Sequence, residues 1–128
     1  MAITLNNQRQ EPRTAFVVVN FSDLASGSAA NAIKLPGGSV ITGGRVSVLS
    51  AFNSATSDSI VVGDATTANR YLTSSSLASA SGSYALTPTG FATTASQPYV
   101  KLTWTGVGAA PTAGQFRLEV TYYNLGVS

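Results

Sequence analysis

Any chemistry in this chain would have to come from five carboxylates: Glu11, Asp23, Asp58, Asp64 and Glu119. The 128 residues include no His and no Cys. That removes the usual general base, the usual imidazole metal ligand, thiolate metal sites and every His-dependent triad. Asp58 and Asp64 come nearest to a working pair. They flank one expected strand, and at roughly 3.3 Å per residue their Cα atoms stand about 20 Å apart. Carboxylates that cooperate in glycoside hydrolysis stand within about 5–10 Å, so these two cannot share a bond to cleave. Each is expected to cap a turn or to pair with a nearby Arg. A calcium site built from Asp58, Asp64 and loop carbonyls is the alternative, but the ligand-dense loop that marks such sites is missing.

Other motifs lead to the same place. Gly106-Val107-Gly108 has the glycines of a phosphate loop without its lysine or its following helix, so a turn between strands is expected. Ser and Thr are abundant, but no Gly-x-Ser-x-Gly elbow precedes a helix and no base is present to activate a hydroxyl. The sequence predicts a chain that is not an enzyme and needs neither cofactor nor metal.

Aromatic residues offer a second kind of chemistry, the stacking of rings on sugars or on protein partners. Trp104 shares a strand face with Val100 and Leu102 and is expected in the core. Tyr122 and Tyr123 are adjacent and must point to opposite faces, which sends Tyr123 away from Phe116 and Leu118. Tyr99 falls on the polar face of its own strand. A platform of Tyr99 and Tyr123 would serve a glycan or a subunit interface, and the low charge of the chain favours the interface.

The elements that would position these residues are strands. Tyr99 to Thr105 alternates, with Val100, Leu102 and Trp104 on one face. Gln115 to Tyr123 alternates again, with Phe116, Leu118, Val120 and Tyr122 on one face. Ala15 to Val19 is a continuous β-branched and aromatic run. Such a run is buried on both faces or belongs to a strand shared with a neighbour. Pro36-Gly37-Gly38 marks a turn. Gly43-Gly44, inside the strand region Ser39 to Phe52, marks a bulge or bend. Further strands are expected at Asn31 to Leu35, Asp58 to Val62, around Arg70 to Leu72, and at Tyr84 to Leu86 as an edge. Thr73 to Ala80 could instead be a short helix. Seven or eight strands at this spacing predict an all-β, antiparallel β-sandwich with jelly-roll-like connections, spanning residues 13–128 as one domain. Residues 1–12 read as an N-terminal arm, extended or flexible, with only Ile3 and Leu5 apolar between Met1 and Pro12.

Composition narrows the partners. Only 9% of residues are charged, against about 25% in an average soluble protein, so the polar surface must be built from Ser, Thr, Asn and Gln. Such a surface suits close contact with another protein. The net charge is +2, and the basic residues are scattered, without the stripe that nucleic acid requires. No stretch approaches the ~18 apolar residues of a membrane span, and Met1 to Arg13 lacks the apolar region of a secretory leader. Neither nucleic acid nor membrane is expected as a partner, and synthesis is expected inside a cell.

Several segments together form a recognisable pattern. Leu35-Pro36-Gly37-Gly38-Ser39-Val40-Ile41-Thr42-Gly43-Gly44 leads into Val46-Ser47-Val48. Ala51-Phe52-Asn53-Ser54-Ala55-Thr56-Ser57-Asp58 follows, then Val62-Gly63-Asp64 and Asn69-Arg70-Tyr71-Leu72. Later come Leu86-Thr87-Pro88-Thr89-Gly90, Leu102-Thr103-Trp104-Thr105-Gly106 and Ala110-Pro111-Thr112-Ala113-Gly114. From about Val17 to Tyr123 the order of these turns and strands resembles the capsid decoration, or cement, proteins of tailed bacteriophages. The resemblance implies a homotrimer on the outer capsid surface of a virion, made in the host cytoplasm and bridging copies of the major capsid protein. It transfers no catalytic or binding motif. The residues expected to touch the capsid or another subunit are Ile3, Leu5, Arg9, Arg13, Phe16, Val18, Tyr99 and Tyr123. The rival reading is a carbohydrate-binding or receptor-binding module of a phage fibre, built on the same sandwich.

Overall fold

The longer strands of the fold carry apolar side chains at every second position, which is the spacing a sheet needs to bury one face. The computed structural model describes residues 10–79 and 81–125. Ile3, Leu5 and Arg9 lie outside the described residues. Eight strands follow in chain order: β1 (Arg13–Asn20), β2 (Ala29–Lys34), β3 (Ser39–Ser50), β4 (Ser57–Gly63), β5 (Leu72–Ser76), β6 (Ser83–Ala85), β7 (Tyr99–Val107) and β8 (Gln115–Asn124). The only helical turn among the described residues is a 3-10 turn at Phe21–Asp23.

Four antiparallel pairings, β1 with β8, β2 with β7, β3 with β6 and β4 with β5, are those of one long hairpin. Two more, β3 with β8 and β4 with β7, roll that hairpin up. The outcome is two four-stranded sheets, ordered β1-β8-β3-β6 and β2-β7-β4-β5. This is the antiparallel, jelly-roll-like sandwich expected from the sequence. We call them the first and second sheets.

The core lies between the sheets. From the first come Val17, Val19, Ile41, Val46, Val48, Phe116, Leu118 and Val120; from the second come Ile33, Ile60, Val62, Leu72, Val100, Leu102 and Trp104. Phe52, expected inside a strand, lies just beyond β3 in the β3–β4 loop. It joins the sheets at one end, its ring centroid 6.0 Å from those of both Trp104 and Phe116. Gly114 leaves room for that ring, since a Cβ there would stand 2.6 Å from it.

The Gly43-Gly44 signal marks a bulge, as expected. The pairing of β3 with β8 slips between Ile41 and Gly43, leaving Thr42 as the extra residue. The slip moves the inward set of β3 from the odd position Ile41 to the even positions Val46 and Val48, so that each faces an inward residue of β8. Gly44 has φ +140°, and a Cβ there would stand 2.2 Å from the Glu119 carbonyl oxygen, so the bulge needs glycine at this position. Several boundaries differ from expectation: β7 runs on through Gly106 to Val107, where a turn was expected, because both pair with β4, and the edge strand β6 spans Ser83–Ala85, one residue earlier than expected. The segment offered as a helix from Thr73 is strand β5 as far as Ser76, because pairing with β4 outweighs a helix preference too weak to act alone. β2 begins at Ala29, two residues before the expected start.

Candidate interaction surface

β1 is an edge strand, and its alternation sorts the apolar run from Ala15 to Val19. Ala15, Val17 and Val19 turn inward against Val120, Leu118 and Phe116. Phe16 and Val18 turn outward and are 57% and 40% exposed. The run is therefore not buried on both faces within one chain. Its outward half is left open, as in a strand whose second face is covered by a neighbour. An edge strand that shows large apolar side chains is a ready site for association.

Register places that stripe among its neighbours. Phe16 stands beside Glu119, and Glu119 beside Arg45; Val18 stands beside Arg117, and Arg117 beside Ser47. The Arg117 guanidinium lies over the Phe16 ring, 4.1 Å from its centroid, and pairs with Glu119 at 3.6 Å. The charges next to the stripe thus neutralise each other, and the cation rests on an aromatic face. Arg45 donates to the Ser83 hydroxyl. Leu49, 51% exposed, extends the outward alternation of β3. Its exposure gives the face a third apolar element that sequence reasoning missed. The signal was available: Val46, Val48 and Leu49 break strict alternation, and a leucine next to an inward valine must look outward.

The expected contact residues divide three ways. Phe16, Val18 and Tyr123 lie on the outer face of the first sheet. Arg13 is exposed where β1 begins, lining a shallow cleft with Gln10, Glu11, Tyr122 and Tyr123. Tyr99 belongs to β7 of the second sheet. The expected platform of Tyr99 and Tyr123 is therefore not formed, because the two rings sit on the outer faces of opposite sheets.

Asp58 and Asp64 are bound into structure. Asp58 is buried, and its carboxylate accepts from the Ser54 N–H (2.9 Å), the Ser54 hydroxyl (2.7 Å) and Trp104 Nε1 (3.0 Å). It caps the turn before β4, as expected, and also holds the indole, which was not. Asp64 fills both expected roles. Its Oδ1 accepts from the N–H groups of Thr66 and Thr67, and its Oδ2 pairs with Arg70 at 2.5 Å. Among the described residues, no three His, Cys, Asp or Glu side chains come together as a metal-binding group.

No protein-family model matches the chain, and no curated protein matches it. Solved structures do. The chain is similar to one in the cyanophage Pam1 capsid asymmetric unit, with 26% identity and a TM-score of 0.75, over 95% of this chain and 94% of that one. A chain in the acid-stable capsid of Helicobacter pylori bacteriophage KHP30 shares the fold at 19% identity and a TM-score of 0.66, over 88% and 87%. A chain in the capsid of Ralstonia phage GP4 shares it at 17% identity and a TM-score of 0.64, over 100% and 93%.

Proposed function

We propose that this chain is a non-enzymatic structural protein of a phage virion, a decoration protein that sits on the outer capsid surface and bridges copies of the major capsid protein. The observation that carries this reading is the similarity, end to end in both chains, to a chain of the cyanophage Pam1 capsid. The open face of the first sheet supports it, since Phe16, Val18 and Leu49 each expose an apolar side chain there, and the Arg117 and Glu119 side chains beside Val18 and Phe16 pair with each other. Contacts of this kind are individually weak, and a shell multiplies them through repeated copies. We further propose that the protein acts as a homotrimer, with the Phe16–Val19 segment of β1 near the three-fold axis. The arm of residues 1–12 would then lie along the capsid or add a strand to a neighbour, engaging Ile3, Leu5 and Arg9. The carbohydrate-binding form of the rival carbohydrate-binding or receptor-binding module called for Tyr99, Tyr123 and Trp104 as one exposed set, whereas Trp104 is buried and Tyr99 and Tyr123 stand on opposite sheets.

The test is reconstitution on capsids stripped of this protein. The full chain is expected to rebind as trimers at local three-fold positions, visible in a map of the particle. Deleting residues 2–12 is expected to lower occupancy severalfold. Unchanged occupancy would remove the arm from the contact, and a full chain that leaves stripped capsids bare would sink the decoration reading.

A further inference from the structure

The two sides of the sandwich are closed differently. Where β5 and β6 are the edge strands, Leu72, Leu77 and Leu86, in or next to those strands, are all buried. Where β1 and β2 are the edges, the inward side chains are smaller or less covered. Ala15, Val17, Leu24, Ala30 and Ala32 pack against the core but are only half-buried. A gap of about 170 Å³ opens there, lined mainly by Val17, Val19, Leu24, Ala30, Ala32 and Leu102. An apolar cavity of about 150 Å³ takes up a benzene ring, so this gap suits one or two aliphatic side chains. Among the described residues β1 pairs with β8 alone and β2 with β7 alone. Each strand therefore also has a free backbone edge beside the gap.

An occupant that satisfies both features brings apolar side chains at strand spacing and a backbone to pair. The sequence holds such a segment in Ile3 and Leu5, two residues apart and so on one face of an extended strand, with Thr4 and Asn6 on the other. Where the described chain starts decides whose gap this segment reaches. Arg13 pairs with Tyr122, and Gln10 and Glu11 line a cleft with Pro36, Tyr123 and Asn124. The chain thus prolongs the line of β1 in the direction away from Val17 and Val19. Even a tight reversal over residues 8 and 9 would set Leu5 beside Pro12 and Ile3 beside Thr14. That is about 10 Å short of Val17 at the rise of a strand. An arm falls short of its own gap, and no such limit applies to the arm of a second copy.

We propose that copies of this chain exchange arms: residues 2–6 of one copy add a strand to the free edge of β1 in the next, and Ile3 and Leu5 fill the gap between its sheets. The proposal rests on the homotrimer reading above and names the acceptor of the arm. Each copy gives one arm and takes one, which closes a ring. Main-chain pairing supplies the hold, and the gap selects the alternate side chains.

The protein has no Cys, so introduced thiols can link only to each other. Ala30→Cys is combined in the full chain with Ile3→Cys or with Leu5→Cys, oxidised mildly and run on a denaturing gel without reductant. At least one pair is expected to give two-chain and three-chain species, severalfold more than Ala30→Cys with Thr4→Cys, whose arm thiol faces away. In the cysteine-free chain, deleting residues 2–9 is expected to speed hydrogen exchange along β1 severalfold. Links that stay within one chain, links no more abundant than in the Thr4→Cys control, or unchanged exchange along β1 overturn the proposal. Exchange that slows only on capsids overturns it too, since the occupant would then be the capsid protein. Trimers that decorate stripped capsids without linking lose arm exchange alone. Chains that link between copies yet leave stripped capsids bare keep arm exchange and lose the decoration reading.

Discussion

The two sheets distribute polarity in opposite directions. The first lines the core with apolar side chains, and Ser39 at the start of β3 is its one buried polar residue, bonded to the Pro36 carbonyl. It then carries apolar groups outside as well, in Phe16, Val18, Leu49 and Tyr123. The second sheet does the reverse. Its outer face presents Asn31, Ser59, Lys101, Thr103 and Thr105, with Val107 at the end of β7 as its one exposed large apolar residue among those described. Its inner face buries a carboxylate, Asp58. Alternation at period two yields both patterns, so burial of one face does not dictate the chemistry of the other. A strand needs only one apolar face to fold. The apolar outward side chains of β1, Phe16 and Val18, are surplus to folding and are what the proposed partner would cover.

The largest effect is expected where the second sheet hides its polarity. Asp58 anchors three donors, and hydrogen bonds to a charged group contribute about 1.5–3 kcal/mol each. Asp58→Ala strands the Trp104 indole N–H and the Ser54 groups, and is expected to cost at least about 3 kcal/mol. Chemical denaturation reads this directly. Asp58→Asn keeps part of the network and should cost less. A loss below about 1 kcal/mol for Asp58→Ala would mean that the buried carboxylate is incidental and that the two inner faces are equivalent.

Next in size is a break on the first sheet's open face. Phe16→Asp with Val18→Asp places two carboxylates where a partner is proposed to sit. Capsid occupancy is expected to fall about tenfold or more, as expected when unpaired charges must be buried, while the denaturation midpoint of the isolated chain moves little. The aspartates would face solvent on an edge strand, where substitutions usually shift stability by under about 0.5 kcal/mol. Loss of the stacked Arg117–Phe16 contact adds a modest cost. Full occupancy with both aspartates in place would show that the apolar stripe has another purpose.

How far the sequence reaches is visible in the same strands. The alternations of β7 and β8 fixed which side of each strand holds Trp104, Phe116 and Tyr123, because neighbouring side chains must oppose each other. The bulge was legible from Gly43-Gly44. Asp64 was legible because a turn residue six positions before an arginine has few other roles. The Tyr99–Tyr123 platform was not decidable from sequence: alternation assigns a residue to a face of its strand, but which sheet the strand joins depends on the pairing of β7 with β2 and β4 and of β8 with β1 and β3, strands distant in sequence. Strand β5 was equally hidden. Leu72–Ser76 contains a single apolar residue, so its conformation is imposed by β4.

Tyr71 also gives the second sheet's inward polarity a pH signature. Burial holds its phenol above the ordinary value of about 10, the Asp64 carboxylate pushes in the same direction, and Arg70 opposes them. The fold therefore favours the neutral phenol. The stability this supplies is fully present below pH 10 and declines as pH rises from there toward the folded-state value. Urea midpoints from pH 8 to 11 should fall more steeply for the natural chain than for Tyr71→Phe. Parallel alkaline limbs would remove Tyr71 from the account.

The smallest effect is expected from the mirror experiment on the second sheet. Ser59→Asp with Thr103→Asp adds the same two charges as the first-sheet double variant, on an outer face already made of polar side chains. Ser59 pairs with Thr105 and Thr103 with Val61, so the aspartates stand on neighbouring strands without directly opposing each other. Lys101 on the same face of β7 offers a counter-charge. Like charges across a sheet cost a few tenths of a kcal/mol, and stability should change by no more than about 0.5 kcal/mol. Capsid occupancy should not change, because on this account no partner covers this face. The matched pair of variants controls for net charge, which both lower equally. Equal losses of occupancy would trace the effect of the first-sheet variant to general repulsion from the shell. Loss confined to the Phe16 and Val18 variant would trace it to contact, since both variants add the same charge.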